Sequence, residues 1–418
     1  MSKISTVKGF ADHLPREAAQ FNRIAETARQ VFAAYGYREV HIPILEYTEL
    51  FARSIGTETD VVQKEMFTFP DRKERSLTLR PEATAGLMRS YIEHSIHAKE
   101  PVTKFFTHGP MFRYERPQKG RMRQFHQVDV ECLGAPEPQV DAEMLLMLME
   151  YFSALGLKDL ALEINTLGCK ECRPHYREAL LAFLQAKPVD EFCEDCRKRM
   201  DANPLRVLDC KVPRCKELVE GAPRIADSIC PECKTHFATV LGILERAGLE
   251  PGRDYKISHR LVRGLDYYTR TTFEVVSNSI GAQGSVAGGG RYDGLIASLG
   301  GPEVSGIGFA CGMERLALML PENDLDKPDF YIAVLDAAAL DEALLLAQAL
   351  RKNGLSGETS YNAGSAKSQL RKAANSGASY CLLLGGNELA DGTVIVKNMD
   401  SGEQITRRRD DINNLIIK

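Results

Sequence analysis

Along residues 18–34 the apolar side chains Phe21, Ile24, Ala25, Ala28, Val31 and Phe32 recur at helical spacing, and Gly36 supplies the stop. In VHIPILEYTELFARSIG, Pro43 separates a strand-like run from a second helix. Residues 66–69 and 76–79 pattern as a hairpin around PDRKER. The next stretch, LTLRPEATAGLMRSYIE, enters a helix opened by Pro81, Glu82 and Thr84, with proline and acid where first-turn chemistry prefers them. KFFTHGPMFR and RQFHQVDVECL then read as two strands joined by YERPQKGRM, with Pro117 and Gly120 as breakers. Side chains on a strand alternate, so Gln127, Asp129 and Glu131 share one face and Val128 and Val130 the other.

Further on, 140–155 is a Met- and Leu-rich helix of core type, and LALEINTLG is a strand. REALLAFLQ, RKRMDANPLRVLD and THFATVLGILERAG are helical in pattern. YKISHRLVRGLDYYTRTTFEVV sets β-rich halves around RGLDYY. SVAGGGRYDGLIASLGG is glycine-rich, yet lacks the spacing of a P-loop or dinucleotide fingerprint; its glycines would let the backbone approach a ligand closely. GIGFACGMERLALML pairs a strand-like run with a helix whose first turn holds Arg315, a placement that opposes the helix dipole and suits a bound anion. Beyond the polar linker 321–329, strand and helix patterns alternate to the end, the mark of a small α/β domain.

A chain of 418 residues is too long for one ordinary domain, and 44% hydrophobic with 26% charged residues describes a globular protein with a sizeable core. Its formal charge of -4 carries no bulk basicity, so a nucleic acid would have to meet local basic patches such as Arg197–Arg199, Lys367, Arg371, Lys372 and Arg407–Arg409. The N-terminus lacks a signal-like apolar run and no stretch reaches about 18 apolar residues, which predicts a cytoplasmic protein with no membrane partner.

Eight of the 11 cysteines fall between 169 and 233, as Cys169/Cys172, Cys193/Cys196, Cys210/Cys215 and Cys230/Cys233. Paired thiolates on turns can face one Zn²⁺, and two such pairs close a tetrahedral site, so one or two structural zinc sites are a candidate. Small buried residues of a helical insertion and a redox CxxC are the alternatives. The spacing does not say which pairs meet.

The hairpin at 104–133 combines a cationic loop (Arg113, Arg116, Lys119, Arg121, Arg123) with a row of acceptors, which suits a ligand bearing both an amine and phosphates. FRYERPQKGRMRQFHQVDVE resembles motif 2 of the class II aminoacyl-tRNA synthetases in its histidyl form, of bacterial type. LVRGLDYYTRTTFE resembles the peptide that distinguishes histidyl enzymes, and speaks against a threonyl or prolyl relative. The segment around Pro43 resembles motif 1, and GIGFACGMERLALML resembles motif 3.

The resemblance implies an α+β fold: an antiparallel sheet of six or seven strands flanked by helices, a helical insertion and a C-terminal α/β anticodon-binding domain, in a homodimer. On this chain it assigns 1–166 and 255–321 to the catalytic core, 167–254 to the insertion and 329–418 to the anticodon-binding domain. The activity implied is ATP-dependent ligation of L-histidine to its tRNA through a histidyl-adenylate, with Mg²⁺. Arg113 and Arg263 would be catalytic. Glu82, Ala83, Thr84, Gln127, Glu131, Tyr267, Tyr268 and Tyr292 would bind histidine, and Arg113, Glu115, Arg121 and Arg315 would bind ATP. A second reading is the catalytically silent relative that serves as a regulatory subunit of ATP phosphoribosyltransferase. Such relatives lack the C-terminal domain and erode the motif arginines, whereas Arg113, Arg263, Arg315 and residues 329–418 are present here.

Overall fold

The computed structural model describes residues 4–56, 59, 61–263, 267–277, 279–280, 284–321 and 327–411. Gly264, Leu265 and Asp266 of the RGLDYY peptide, and residues 322–326 of the linker, lie outside the described residues. The chain divides into two compact units, Met1–Pro321 and Glu322–Lys418.

In the first unit the N-terminal apolar stripe becomes helix α1 (Pro15–Ala34), which buries Ile24, Ala28 and Phe32 completely. Strand β1 (Arg38–Glu39) follows, then β2 (Leu45–Tyr47), α2 (Thr48–Ile55), β3 (Phe67–Pro70), β4 (Ser76–Leu79) and α3 (Thr84–Glu93). β2, β4 and β3 form a small antiparallel sheet. The predicted hairpin is β5 (Thr103–Phe112) and β6 (Gln124–Leu133), paired without a break from Thr103↔Leu133 to Phe112↔Gln124. Helix α4 (Pro138–Ala154) and strand β7 (Leu160–Thr166) complete this half.

The cysteine-rich segment folds as α5 (Cys172–Gln185), α6 (Glu194–Ala202), α7 (Pro213–Leu218) and α8 (Pro231–Arg246). Asn203 and Pro204 break the 197–209 pattern into a helix and a short 3₁₀ turn, as a proline without an N–H requires. The chain then returns as β8 (Tyr255–Ile257), β9 (Thr269–Ser277), β10 (Ser285–Arg291), α9 (Leu295–Ser298), β11 (Gly306–Gly312) and α10 (Met313–Met319). The glycine-rich run is thus an interior strand.

The large sheet has eight strands in the order β1-β5-β6-β11-β10-β9-β7-β8. This exceeds the six or seven expected, because the short strands β1 and β8 add parallel edges to an otherwise antiparallel sheet. Val128, Val130 and Cys132 of β6 join α1 and α4 in the main core. Each such fully buried apolar side chain contributes about 1.5–3 kcal/mol. The polar residues Gln127, Asp129 and Glu131 therefore face the other way, and that face carries the site.

The second unit is a five-stranded sheet in the order β13-β12-β14-β15-β16, from β12 (Phe330–Val334), β13 (Gly357–Thr359), β14 (Tyr380–Leu384), β15 (Thr393–Asn398) and β16 (Gln404–Arg408). Helices α11 (Leu340–Lys352), α12 (Ala366–Ser376) and α13 (Gly386–Asp391) alternate with them. Phe330, Ile332 and Val334 pack into one cluster and Tyr331 and Ala333 into another, so β12 is covered on both faces and reads as an unbroken apolar run.

Candidate active site

A cavity of about 350 Å³ opens on the polar face of the sheet, lined from β6, from the loop that links β5 to β6, from β10 and from the β11–α10 junction. Nine of the residues assigned from sequence line it: Glu82, Arg113, Glu115, Arg121, Gln127, Arg263, Tyr267, Tyr268 and Arg315.

Acidic and neutral acceptors gather in one part. Glu82 precedes α3, and its Oε1 accepts from the Ala85 N–H at 2.9 Å, so it caps the helix while facing the cavity. Asp129 is almost fully buried, and burial, with the neighbouring carboxylates Glu131 and Glu82, holds its pKa well above the usual range. Burial likewise raises Glu82. Among the described residues Asp129 Oδ2 and Gln127 Oε1 have no hydrogen-bond partner. Buried acceptors left unpaired are costly, and a cationic donor entering here would satisfy them.

Glu131 lies deeper. It accepts from Thr84 Oγ1 at 2.6 Å and from the Tyr292 hydroxyl, and burial pushes its carboxyl up to about 8. Thr84, Glu131 and Tyr292 are therefore linked to one another behind the lining, and Tyr292 meets the cavity through the edge of Tyr267, ring centroids 5.7 Å apart. Ala83, the N-cap of α3, is fully buried and supplies no polar side chain. These four do not line the cavity, contrary to the direct contact expected of them.

Cations line the same cavity. Arg113 donates through Nε to the Pro81 carbonyl at 2.8 Å and stacks over Phe125 at 5.2 Å. The loop folds back through Arg113 N–H to Arg123 carbonyl at 2.8 Å, and its tip closes by paired bonds between Gln118 and Arg121. Gly120 sits in that tip at φ +72, a left-handed backbone that favours glycine. Arg121 pairs with Glu115, while Arg315 donates to the Ser285 carbonyl and, at 3.3 Å, to that of Gly120. Arg315 thus seats the loop tip. Burial, and after it the nearby Arg121 and Arg113, disfavours its charge. Three guanidinium groups held near one another call for anionic ligands.

Arg263 lies against β10, its Nη1 3.3 Å from Glu274. A Cβ on Gly288 would fall 2.3–2.4 Å from its guanidinium, so only glycine leaves the slot it occupies. Gly308 does the same for Glu131, where a Cβ would strike the carboxylate. The glycines thus make room for side chains of the site, a use the sequence reading missed in favour of close ligand approach.

Several lining residues carried no role in that reading. Asp129 was on the right face by alternation, but Glu65, Glu314 and Arg206 of the insertion gave no local signal. Glu314 accepts the His126 backbone N–H at 2.8 Å and tethers α10 to β6.

A family model described as histidyl-tRNA synthetase matches residues 9–316, and one described as an anticodon binding domain matches 329–418. A curated histidine–tRNA ligase from Nitratidesulfovibrio vulgaris is 64% identical over 410 residues, covering 98% of this chain and 97% of that one. The chain belongs to the histidyl-tRNA synthetase family. A second histidine–tRNA ligase, from Oleidesulfovibrio alaskensis, is 61% identical over 97% of each chain. The crystal structure of apo S. aureus histidyl-tRNA synthetase is similar with a TM-score of 0.82 and 36% identity, over 99% of this chain and all of that one. Membership in the histidyl-tRNA synthetase family implies ATP and Mg²⁺ as co-substrates and accounts for both units, the second being the anticodon-binding α/β domain. The carboxylates of Glu65, Glu115 and Glu314 along the wall are oxygen donors of the kind a hard cation takes.

Proposed function

We propose that this chain activates L-histidine with ATP and passes the histidyl group to its tRNA, and that the cavity on the sheet's polar face performs the first step. One observation carries the reading: a single cavity is lined both by buried acceptors, two of them unpaired (Gln127, Asp129, with Glu82), and by four arginines (Arg113, Arg121, Arg263, Arg315). An amino acid and a nucleotide triphosphate bring the matching charges.

The histidine carboxylate attacks the α-phosphate, a bond forms between them, and pyrophosphate leaves. Both reactants are anionic, so the site must neutralise them and hold them in line. Arg113 would grip the carboxylate and α-phosphate as a bidentate fork, and Arg263 would face the same phosphate from β10. Glu115, Arg121 and Arg315 would hold the adenine and outer phosphates, with Mg²⁺ arriving on ATP to screen their charge. The α-ammonium would sit among Glu82, Gln127 and Asp129. Tyr267 and Tyr268 would meet the imidazole, with Glu131 behind them set by Thr84 and Tyr292. Reading both ring nitrogens rejects isosteric side chains by leaving polar groups unpaired. A ribose hydroxyl of the tRNA end then attacks the adenylate carbonyl, and AMP departs.

The regulatory-subunit reading is not favoured, since the arginines are in place and the second unit is present. A homodimer is supported by apolar side chains left exposed near the motif 1 proline, Ile44, Leu45 and Tyr47, with Phe69 of the same small sheet. No helix of the described residues is long and apolar enough to cross a membrane; charging of tRNA for translation would place the chain in the cytoplasm. Histidine-dependent exchange of pyrophosphate into ATP, with the other amino acids as controls, tests the proposal. Exchange with histidine alone is expected; histidine binding without exchange would transfer the chain to the regulatory class.

A further inference from the structure

Folding sorts the eight insertion thiols into two sets of four. Cys169, Cys172, Cys230 and Cys233 form one and Cys193, Cys196, Cys210 and Cys215 the other, and within each set all ligand atoms lie within 4.8 Å of one another. The first set joins the chain entering the insertion after β7 to the chain leaving it at α8. The second lies within the segment so enclosed.

We propose that the insertion binds two zinc ions, each in a mononuclear tetrathiolate site: a base site at Cys169, Cys172, Cys230 and Cys233, and a tip site, nested inside it, at Cys193, Cys196, Cys210 and Cys215. Tetrahedral Zn–S bonds of about 2.3 Å place the sulfur atoms about 3.8 Å apart. The observed Sγ separations are 3.4 Å for Cys169–Cys172 and 3.8 Å for Cys193–Cys210. All eight cysteines are free of disulfides, so each thiol remains available as a ligand.

The surroundings are those of thiolates. Cys230 is the N-cap of α8 and Cys193 that of α6, where helix ends favour negative charge. Backbone N–H groups aim at sulfur: Cys230 donates to Cys172 Sγ at 3.1 Å, Cys233 to Cys230 Sγ at 3.5 Å, and Cys193 to Cys215 Sγ at 3.3 Å. Such bonds orient metal-bound thiolates. Binding converts four thiols and Zn²⁺ to a complex of charge −2 and releases four protons to solvent.

The base site also reaches the catalytic sheet. The Gly168 carbonyl, beside Cys169, accepts from the Arg270 N–H at 2.8 Å, the Leu167 N–H donates to the Arg270 carbonyl at 2.6 Å, and the Arg270 guanidinium pairs with Glu232, between Cys230 and Cys233. Arg270 lies in β9, two residues past Tyr268.

Metal analysis by plasma emission on untagged full-length protein, expressed with zinc in the medium, tests this. Two zinc ions per chain and no visible absorption are expected. Zero or one, or iron with its charge-transfer bands, overturns the proposal. The connectivity is tested by two double variants: Cys169→Ser with Cys230→Ser should keep one zinc, and Cys169→Ser with Cys193→Ser should keep none. No zinc in the first variant means the pairs are crossed and overturns the nested arrangement. Should either variant fail to fold, organomercurial titration of the unmodified chain tests the tetrathiolate assignment itself: zinc should leave at four thiols per ion, and release at two thiols per ion overturns it.

Discussion

Arg263 lies in a slot that exists only because Gly288 has no side chain. The two residues should therefore behave as one functional unit. Arg263→Ala is expected to slow histidine-dependent pyrophosphate exchange by about 10²–10³-fold while histidine binding changes far less, since the group acts on charge that builds at the phosphate. Gly288→Ala should reproduce that loss by displacing the guanidinium, with little change in melting temperature. Exchange kinetics beside a thermal melt check both, and a Gly288→Ala protein with full exchange would refute the coupling. Glu131 offers a second test at this scale. Its pKa stands at about 8 in the fold against an ordinary value of 4.5. Between those values the folded chain keeps a proton that the unfolded chain has lost. The associated stabilisation is therefore complete below about pH 4.5 and lost as pH rises through about 8, by on the order of a few kcal/mol. Denaturant melts of the ligand-free protein should show that decline from pH 5 to 8, and Glu131→Gln should flatten it.

The hairpin β5–β6 is the element that sets the cavity. Its strands could be read from alternation alone, because one face had to bury Val128 and Val130 and the other could not. The loop tip depends on a single left-handed residue. Gly120→Val would force a β-branched side chain into that backbone and push Arg315 from beneath it, where a Cβ already meets Leu318 at 3.4 Å. The KM for ATP in the exchange reaction is expected to rise several-fold, with histidine affinity retained. What the sequence concealed at this scale has a common cause. The AGGG run carries no strand signal, because glycine lacks β propensity, yet Gly288, Gly289 and Gly290 pair on both sides within the sheet. Their fitness is decided by what lies across them: Arg263 for Gly288, the Gly308 carbonyl for Gly289. Arg206 and Glu274 escaped notice for the same reason, since contacts between distant segments leave no local period. Likewise the spacing of the cysteines marked a metal site, but only folding sorts the pairs.

At the scale of the whole molecule, Met1–Pro321 contains every residue assigned to activation, and the second unit has its own core clusters. A chain ending at Pro321 is expected to retain pyrophosphate exchange and to lose tRNA charging by orders of magnitude, because 329–418 matches an anticodon binding domain and holds none of the residues assigned to activation. Parallel exchange and aminoacylation assays decide it; equal losses in both would show that the units act together in activation.

The strand order also has a consequence for how the chain is made. β6 is hydrogen-bonded to β5 on one edge and to β11 on the other, and β11 spans Gly306–Gly312. At ~5–20 residues per second, a ribosome needs roughly 10–35 s to deliver that strand after Leu133 has emerged. Until then the edge of a ten-residue strand stands open, with Val128 and Val130 on one face and the future ligand acceptors on the other. Among the strand edges of the large sheet, the floor of the cavity is thus the one that waits longest for its partner.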